Sequence, residues 1–595
     1  MSPIGIVKKV FFNKIIIEIL DVLKTNQNYM GNIYKCEGID TFVLIKKSPK
    51  EKIIYQIISL YDEEKPFIDK FENSKFFSKS YFEAIPIGNL ENLKFEYGIE
   101  RYPMIGDEVF LISDEEIELI LSNNMFNTEC IQIGELVNRK GYFPKIKINN
   151  FFATHISILG NTGSGKSTTI RTILKKIAEK VEDETFKKEN LNFYIFDVHN
   201  EYKKFYNSNL INVTTLKDIS IPLEKLKKED WLNLILPSNA TQLPILINSL
   251  KLANILEKNE DVVSWVKVFC AMELYKNQQS DNIAKRAKIV GILEEIEDLD
   301  IKNELKNYNS TYGNFNSNTE EEFKNKLKEY IDNKIQGCNP KETLYNKLEK
   351  AEIYIKNIET LQLAVEIILL LEESKANSQI RTYCSSLVTR IDNLIITYKE
   401  TLFSNEEKKL KNFDNLIQHK MKSFEIIDCS LFENEDLLFF SSFILNNIYE
   451  NQKQKRNNGE LKLIHFIFDE AHKYISENSN TIFNPIKTFE KIAKEGRKFG
   501  IFLILASQRP SELSKTVLSQ CNNFILHRIR NNIDLEQMRK SIPYISESQL
   551  LRLSFLKTGH ALVVGEAFQI QLELKICKEK SDNSSETIKP TEVWS

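Results

Sequence analysis

The 595-residue sequence has no C-x-x-C pair; its eight cysteines, Cys36, Cys130, Cys270, Cys338, Cys384, Cys429, Cys521 and Cys577, are scattered. That spacing argues against a zinc site and against a disulfide scaffold. No stretch approaches the roughly 20 apolar residues that a membrane span needs. The greasiest one, LQLAVEIILLL (361–371), is too short and carries Glu366. The opening MSPIGIVKKVFF has no apolar run ending at a small-residue cleavage site. These absences lead us to expect a soluble, reduced, cytoplasmic protein with no membrane partner. A charge imbalance is also missing: the net charge is −3. No whole-molecule basic field attracts nucleic acid, so any DNA-handling groups must be localised, for example around a pore.

What is present is enough chain, 42% hydrophobic and 27% charged, for several domains with sizeable cores. Residues 1–148 read as short β-rich runs, among them IIYQIISLY, FEAIPIGNL, DEVFLIS and IQIGELV, with turn signals at Gly31-Asn32, Gly88-Asn89 and Gly106-Asp107. That texture suggests a small N-terminal β-barrel. Strand–loop–helix alternation follows over 149–239 and again over 416–577, implying an α/β core with mostly parallel strands and crossover helices. Between them, 240–415 is Lys/Glu-rich and helix-periodic and reads as a helical insertion. Its polar patch NYNSTYGNFNSNTEEEF (307–323) reads as an exposed loop. Residues 578–595 form a polar C-terminal tail.

HISILGNTGSGKSTTIRTIL holds Gly160-x-x-x-x-Gly165-Lys166-Ser167, with a strand-like run before it and a helical one after it. This is a phosphate-binding loop. Backbone N–H groups of Gly160, Asn161, Thr162, Gly163, Ser164, Gly165, Lys166, Ser167 and Thr168 can close around phosphates at a helix N-terminus. Lys166 reaches the terminal phosphate oxygens and Ser167 binds Mg²⁺. The strand-like LKLIHFIF then delivers Asp469 and Glu470. Asp469 suits Mg²⁺ held partly through water, and Glu470 suits a general base that activates the attacking water. There is no N-K-x-D guanine signature, so ATP with Mg²⁺ is the expected cofactor pair. There is no L-S-G-G-Q-like signature of a transporter ATPase either. The fold class is therefore α/β with a P-loop (RecA-like) ATPase core.

NFYIFDVHNEYKKF ends a further strand at Asp197, with Glu201 close behind, and both are candidates for the Mg²⁺ surroundings; an ordinary strand-end turn capped by Asp197 is the alternative. IAKEGRKFGIFLILASQRPSEL places an apolar strand between Arg497 and Gln508. Gln508 emerges at the end where a polar residue can sense the γ-phosphate. Arg497 precedes the strand and so emerges at the opposite edge, where it can reach only a neighbour's nucleotide, as an arginine finger. That arrangement implies a ring. Arg509, Arg528 and Arg530 follow that strand and read either as subunit-interface groups or as surface charges.

With these motifs in order, the chain resembles the HerA family of hexameric DNA-translocating ATPases, related to FtsK. The element Asp197-Val198-His199-Asn200-Glu201-Tyr202 is similar to the family's D-P-H-G-E-Y, with Val198 and Asn200 as departures. Thr154 stands where the family often has an arginine. The resemblance implies a homo-hexamer with ATP at the subunit interfaces and duplex DNA through the pore. It also implies a separate effector, a nuclease or a sirtuin-like NAD-consuming enzyme, docked on the N-terminal barrel, in anti-phage defence or DNA end processing. A ring that mainly scaffolds its effector is the rival expectation. Candidate pore loops are 476–484 and 224–230, the latter with Lys225, Lys227 and Lys228 as phosphate contacts.

Overall fold

The computed structural model describes residues 2–578 except for 22–24, 30–31, 37, 49, 67–75, 123–126, 204, 206–208, 239, 259–260, 277–281, 310, 313, 316–318, 376, 378, 420–421, 433, 477–484, 543–544 and 569. Most of the tail and of the candidate loop 476–484 lies outside the described residues.

Six antiparallel strands close the N-terminal barrel: β1 (Gly5–Val10), β2 (Ile15–Ile19), β3 (Phe42–Lys46), β4 (Glu51–Pro66), β5 (Phe76–Glu91) and β6 (Glu108–Leu111). Their order is β2-β1-β6-β3-β4-β5, and β2 pairs back with β5. Closure removes both free edges. The interior is aliphatic, with Val7, Ile17, Val43, Ile53, Ile57 and Val109 fully buried. Gly88 is no turn: it lies inside β5, and a Cβ there would come within 2.2 Å of the Glu96 carbonyl oxygen. Glycine serves close strand approach at this position.

The second sheet has ten strands. In chain order they are β7 (Gly134–Leu136), β8 (His155–Leu159), β9 (Phe193–Asp197), β10 (Ile211–Thr214), β11 (Phe424–Asp428), β12 (Ile464–Phe468), β13 (Ile501–Ser507), β14 (Cys521–Leu526), β15 (His560–Gly565) and β16 (Leu572–Ile576). Across the sheet they run β7-β16-β15-β14-β8-β13-β12-β9-β11-β10. From β14 to β10 the pairing is parallel; β15, β16 and β7 extend it antiparallel. The central strands are buried on both faces, which explains their unbroken apolar runs. In-register neighbours stack across them: the rings of Phe193 and His465 lie 4.8 Å apart, and those of His465 and Phe502 5.3 Å apart. IQIGELV, expected in the barrel, instead supplies β7 to this sheet, where Glu135 faces Lys575. A short apolar run carries no label for the sheet it joins.

Helix α1 (Lys166–Glu182) follows β8. Between β10 and β11 the chain makes the helical excursion, including α2 (Gln242–Lys258), α3 (Asp261–Lys276) and α4 (Ile358–Ser374). Helix α4 contains the 361–371 run, packed against α2 and α3, with Glu366 held by Arg381 at 2.8 Å. Within the polar patch, Phe315 is buried against Phe323, with ring centroids 4.4 Å apart, so that stretch is not simply exposed. No helix among the described residues is long and apolar enough to cross a membrane.

Candidate nucleotide site

The sheet's order brings the motif residues together. Strand β8 carries the loop, β13 lies next to it, and β12 with its acids lies beyond β13. Leu159 is level with Ser507, and Phe468 with Leu505, so the loop, Gln508 and the acids all leave the same edge. In open parallel sheets this carboxyl edge is where ligands bind.

The loop is tied to the strand ends around it. Gly160 N donates to Ser507 O at 3.2 Å, Asn161 N to Arg528 O at 2.9 Å, and Gly559 N to Ser164 O at 3.0 Å. Gly165 enters the helix at φ 120°, a region closed to most side chains. Lys166 is 7% exposed, and its Nζ donates to Asn161 O at 3.3 Å. Burial pulls its pKa below the usual amine value, opposed by Glu470, Asp469 and Glu201. The Thr162 hydroxyl donates to Gln508 Oε1, joining the loop to the end of β13.

Asp469 is 2% exposed. Burial pushes its pKa up to about 8, reinforced by Glu470, Glu201 and Asp197 and only partly offset by Lys166. Glu470 takes a left-handed conformation, φ 50°, outside the ordinary range for its residue type. Its Oε2 is buried and lies 3.3 Å from His472 Nδ1 without hydrogen-bond geometry. Glu201 likewise keeps a buried Oε2 without a hydrogen bond. Acids crowded around one ammonium form a site that a divalent cation would neutralise, and the buried Asp469 is the carboxylate suited to one.

Asp197 does something else with its oxygens. Oδ1 accepts from His199 N at 3.2 Å and Glu201 N at 3.1 Å, and Oδ2 accepts from Tyr202 N at 3.1 Å. It organises its own turn, as the strand-end alternative has it. Asn200 sits there at φ 59°, a left-handed position that asparagine tolerates. That explains how it replaces glycine. Arg509 is 62% exposed in its side chain and pairs with Glu512 at 2.7 Å. Lys225 is committed to Asp414 at 2.6 Å, and Lys227 precedes the helix Lys228–Ile235, where Asp230 caps the Lys227 backbone. All three lysines are exposed, and the Lys225 ammonium is already paired. Thr154 is 3% exposed and sits before β8, at the edge away from the phosphate loop; its hydroxyl accepts from Asn523 Nδ2 at 2.6 Å.

Arg497 lies in the turn Gly496–Phe499 that precedes β13 and is exposed. Seven strand residues, about 20 Å, separate it from the edge that carries Gln508. Sequence reading missed His527, which is fully buried behind the loop. It also missed Tyr202, buried beside Ser167.

A phosphate loop at the carboxyl edge of a parallel sheet, with a buried Asp–Glu pair two strands away at the same edge, defines the chain as a P-loop ATPase. Residues 131–364 match the family described as helicase HerA, central domain. The chain is 25% identical, over 83% of its length and 77% of the relative's, to the DNA double-strand break repair helicase HerA of Sulfolobus acidocaldarius. To the protein of the same description from Saccharolobus solfataricus it is 24% identical over 80% of this chain and 73% of that one. The chain is thus similar to HerA-type ATPases over most of its length. Among solved structures, VirB4 of Thermoanaerobacter pseudethanolicus overlaps 77% of this chain and all but 1% of its own, at 14% identity and a TM-score of 0.41.

Proposed function

We propose that this chain is an ATP-hydrolysing motor that assembles as a homo-hexameric ring and translocates on duplex DNA passing through the central pore. One observation carries the ring: Lys166, Asp469, Glu470 and Gln508 share one sheet edge, whereas the exposed Arg497 occupies the other. An arginine so placed serves the nucleotide of an adjacent subunit. In this reading Glu470 accepts the proton of the attacking water, and Lys166 and the loop N–H groups hold the phosphates. Ser167 and Asp469 would hold Mg²⁺, which would neutralise charge at the phosphate oxygens. Gln508, tied to Thr162, reports whether the γ-phosphate is present.

DNA as the track is supported by the HerA central domain and by relatives described as DNA double-strand break repair helicases. The partner on the N-terminal barrel is a separate effector, a nuclease or a sirtuin-like NAD-consuming enzyme, working in the cytoplasm. Anti-phage defence is the preferred setting and DNA end processing with a NurA-like nuclease the alternative; both rest on family resemblance. The near-neutral net charge of −3 favours a second reading, a ring that assembles and activates the effector with little translocation. ATP turnover with and without linear duplex DNA tests the motor. Stimulation by DNA supports it, and turnover indifferent to DNA favours the scaffold.

A further inference from the structure

His527 follows β14 at the carboxyl edge, and none of its surface is exposed. Its ring is wedged behind the phosphate loop. A Cβ placed on Gly160 would lie 2.5 Å from His527 Cβ, and one on Gly165 would lie 3.3 Å from its Cε1. Ring Nε2 is 2.8 Å from the hydroxyl of Thr169 in the first turn of α1, and Nδ1 is 2.9 Å from the His560 carbonyl oxygen at the start of β15. The next residue back, Gly559, donates its N–H to Ser164 O in the loop.

The partners fix the protons. A carbonyl oxygen only accepts, so Nδ1 carries hydrogen. Burial, with Lys166 nearby, lowers the pKa to about 4, so the ring is neutral near pH 7. Nε2 is therefore bare and faces the Thr169 hydroxyl as an acceptor at 2.8 Å, sharing that one proton with the Gly165 carbonyl oxygen at 3.1 Å. The ring thus couples three segments: the glycine loop, the helix that starts at Lys166, and the C-terminal hairpin β15–β16. An aliphatic or phenyl group would fill the space without setting the helix's first turn against the hairpin.

We propose that His527 is a positioning residue that holds the phosphate loop in its phosphate-receiving shape, bridging the Thr169 hydroxyl to the His560 carbonyl. It touches no reacting atom; its effect passes through the loop N–H groups and Lys166. The role depends on the nucleotide site alone and not on the ring or on DNA. A supporting group that locks first-contact geometry changes ligand affinity more than global stability.

The test uses the full chain with His527→Phe, His527→Gln, Thr169→Val and the His527→Phe/Thr169→Val pair. The probes are ATPγS and ADP, measured by calorimetry, with KM and kcat for ATP alongside melting temperature without nucleotide. The expected result is about tenfold weaker binding of both probes in His527→Phe and in Thr169→Val, with KM raised by a similar factor. The double variant should be no weaker than either single one, and His527→Gln, which can still bond Thr169, should recover most of the affinity. Wild-type affinity with only a lowered melting temperature, or additive losses in the pair, would overturn the proposal. Should His527→Phe not fold, Thr169→Val decides alone: unchanged affinity rejects the role, and a tenfold loss supports it.

Discussion

Gln508 and Arg497 flank opposite ends of one seven-residue strand, β13, Gln508 at the edge that carries the phosphate loop and Arg497 at the other. Gln508 accepts from Thr162 of the phosphate loop, while Arg497 is exposed beyond the other edge. In the ring proposed above, β13 links the residue beside the phosphate loop to the arginine offered to a neighbour.

That connection makes a prediction in trans. Arg497→Ala should keep ATP affinity and lose turnover by about 100-fold or more, in line with what arginine fingers contribute. Mixing Arg497→Ala with Glu470→Gln subunits should restore part of the turnover, because some interfaces then pair an intact Glu470 with an intact Arg497. No recovery across mixing ratios, in assemblies shown to contain both chains, would remove the trans role.

Glu470→Gln should bind ATP as the parent does and hydrolyse it about 10²–10⁴-fold more slowly, the range for losing a general base. Its backbone is left-handed and its buried Oε2 has no hydrogen-bond partner. The same variant separates motor from scaffold. Effector activity that survives without hydrolysis means assembly suffices, and activity that vanishes means motor work is needed.

Gln508→Ala removes the acceptor of the Thr162 hydroxyl while leaving Lys166 and the acids untouched. The expected outcome is kcat lowered roughly tenfold with little change in KM, and a larger loss in DNA-stimulated than in basal turnover. A raised KM with normal kcat would make Gln508 a binding group instead of a sensor.

How much of this was legible beforehand divides by sequence distance. The phosphate loop, Asp469–Glu470 and the Arg497/Gln508 bracket are contiguous motifs whose flanking apolar runs announce their strands. The role of Asp197 was legible only as two alternatives, because three backbone N–H groups in its own turn decide it. IQIGELV was assigned to the barrel since a three-residue strand has no feature that names its partner, which is Leu574–Ile576 more than 400 positions on. His527 was invisible for the same reason: its bond to Thr169 spans 358 positions.

Away from the nucleotide, Glu425 on β11 gives a pH signature. It is 1% exposed; burial raises its pKa to about 7, against the Thr214 hydroxyl, Asn212 Nδ2 at 2.9 Å, and Lys422. The folded pKa exceeds the ordinary carboxyl value near 4.3, so the folded chain binds more protons between about pH 4 and 7. The associated stability is complete below that window and is lost as pH rises through 7. Glu425→Gln, which mimics the protonated acid, should therefore match the parent near pH 4 and exceed it at pH 8 by up to about 4 kcal/mol, the full value of the shift, in denaturant melts. A constant difference at both pH values would contradict the assignment.

The central claim is a ring whose ATP turnover answers to DNA. Particle mass in solution with ATP, with and without linear duplex DNA, measured together with turnover in the same samples, tests it most directly. The account predicts a six-subunit mass and turnover that rises when DNA is added, more weakly at high salt. A monomer that hydrolyses ATP at full rate, or a hexamer whose turnover ignores DNA at every salt concentration, would contradict it.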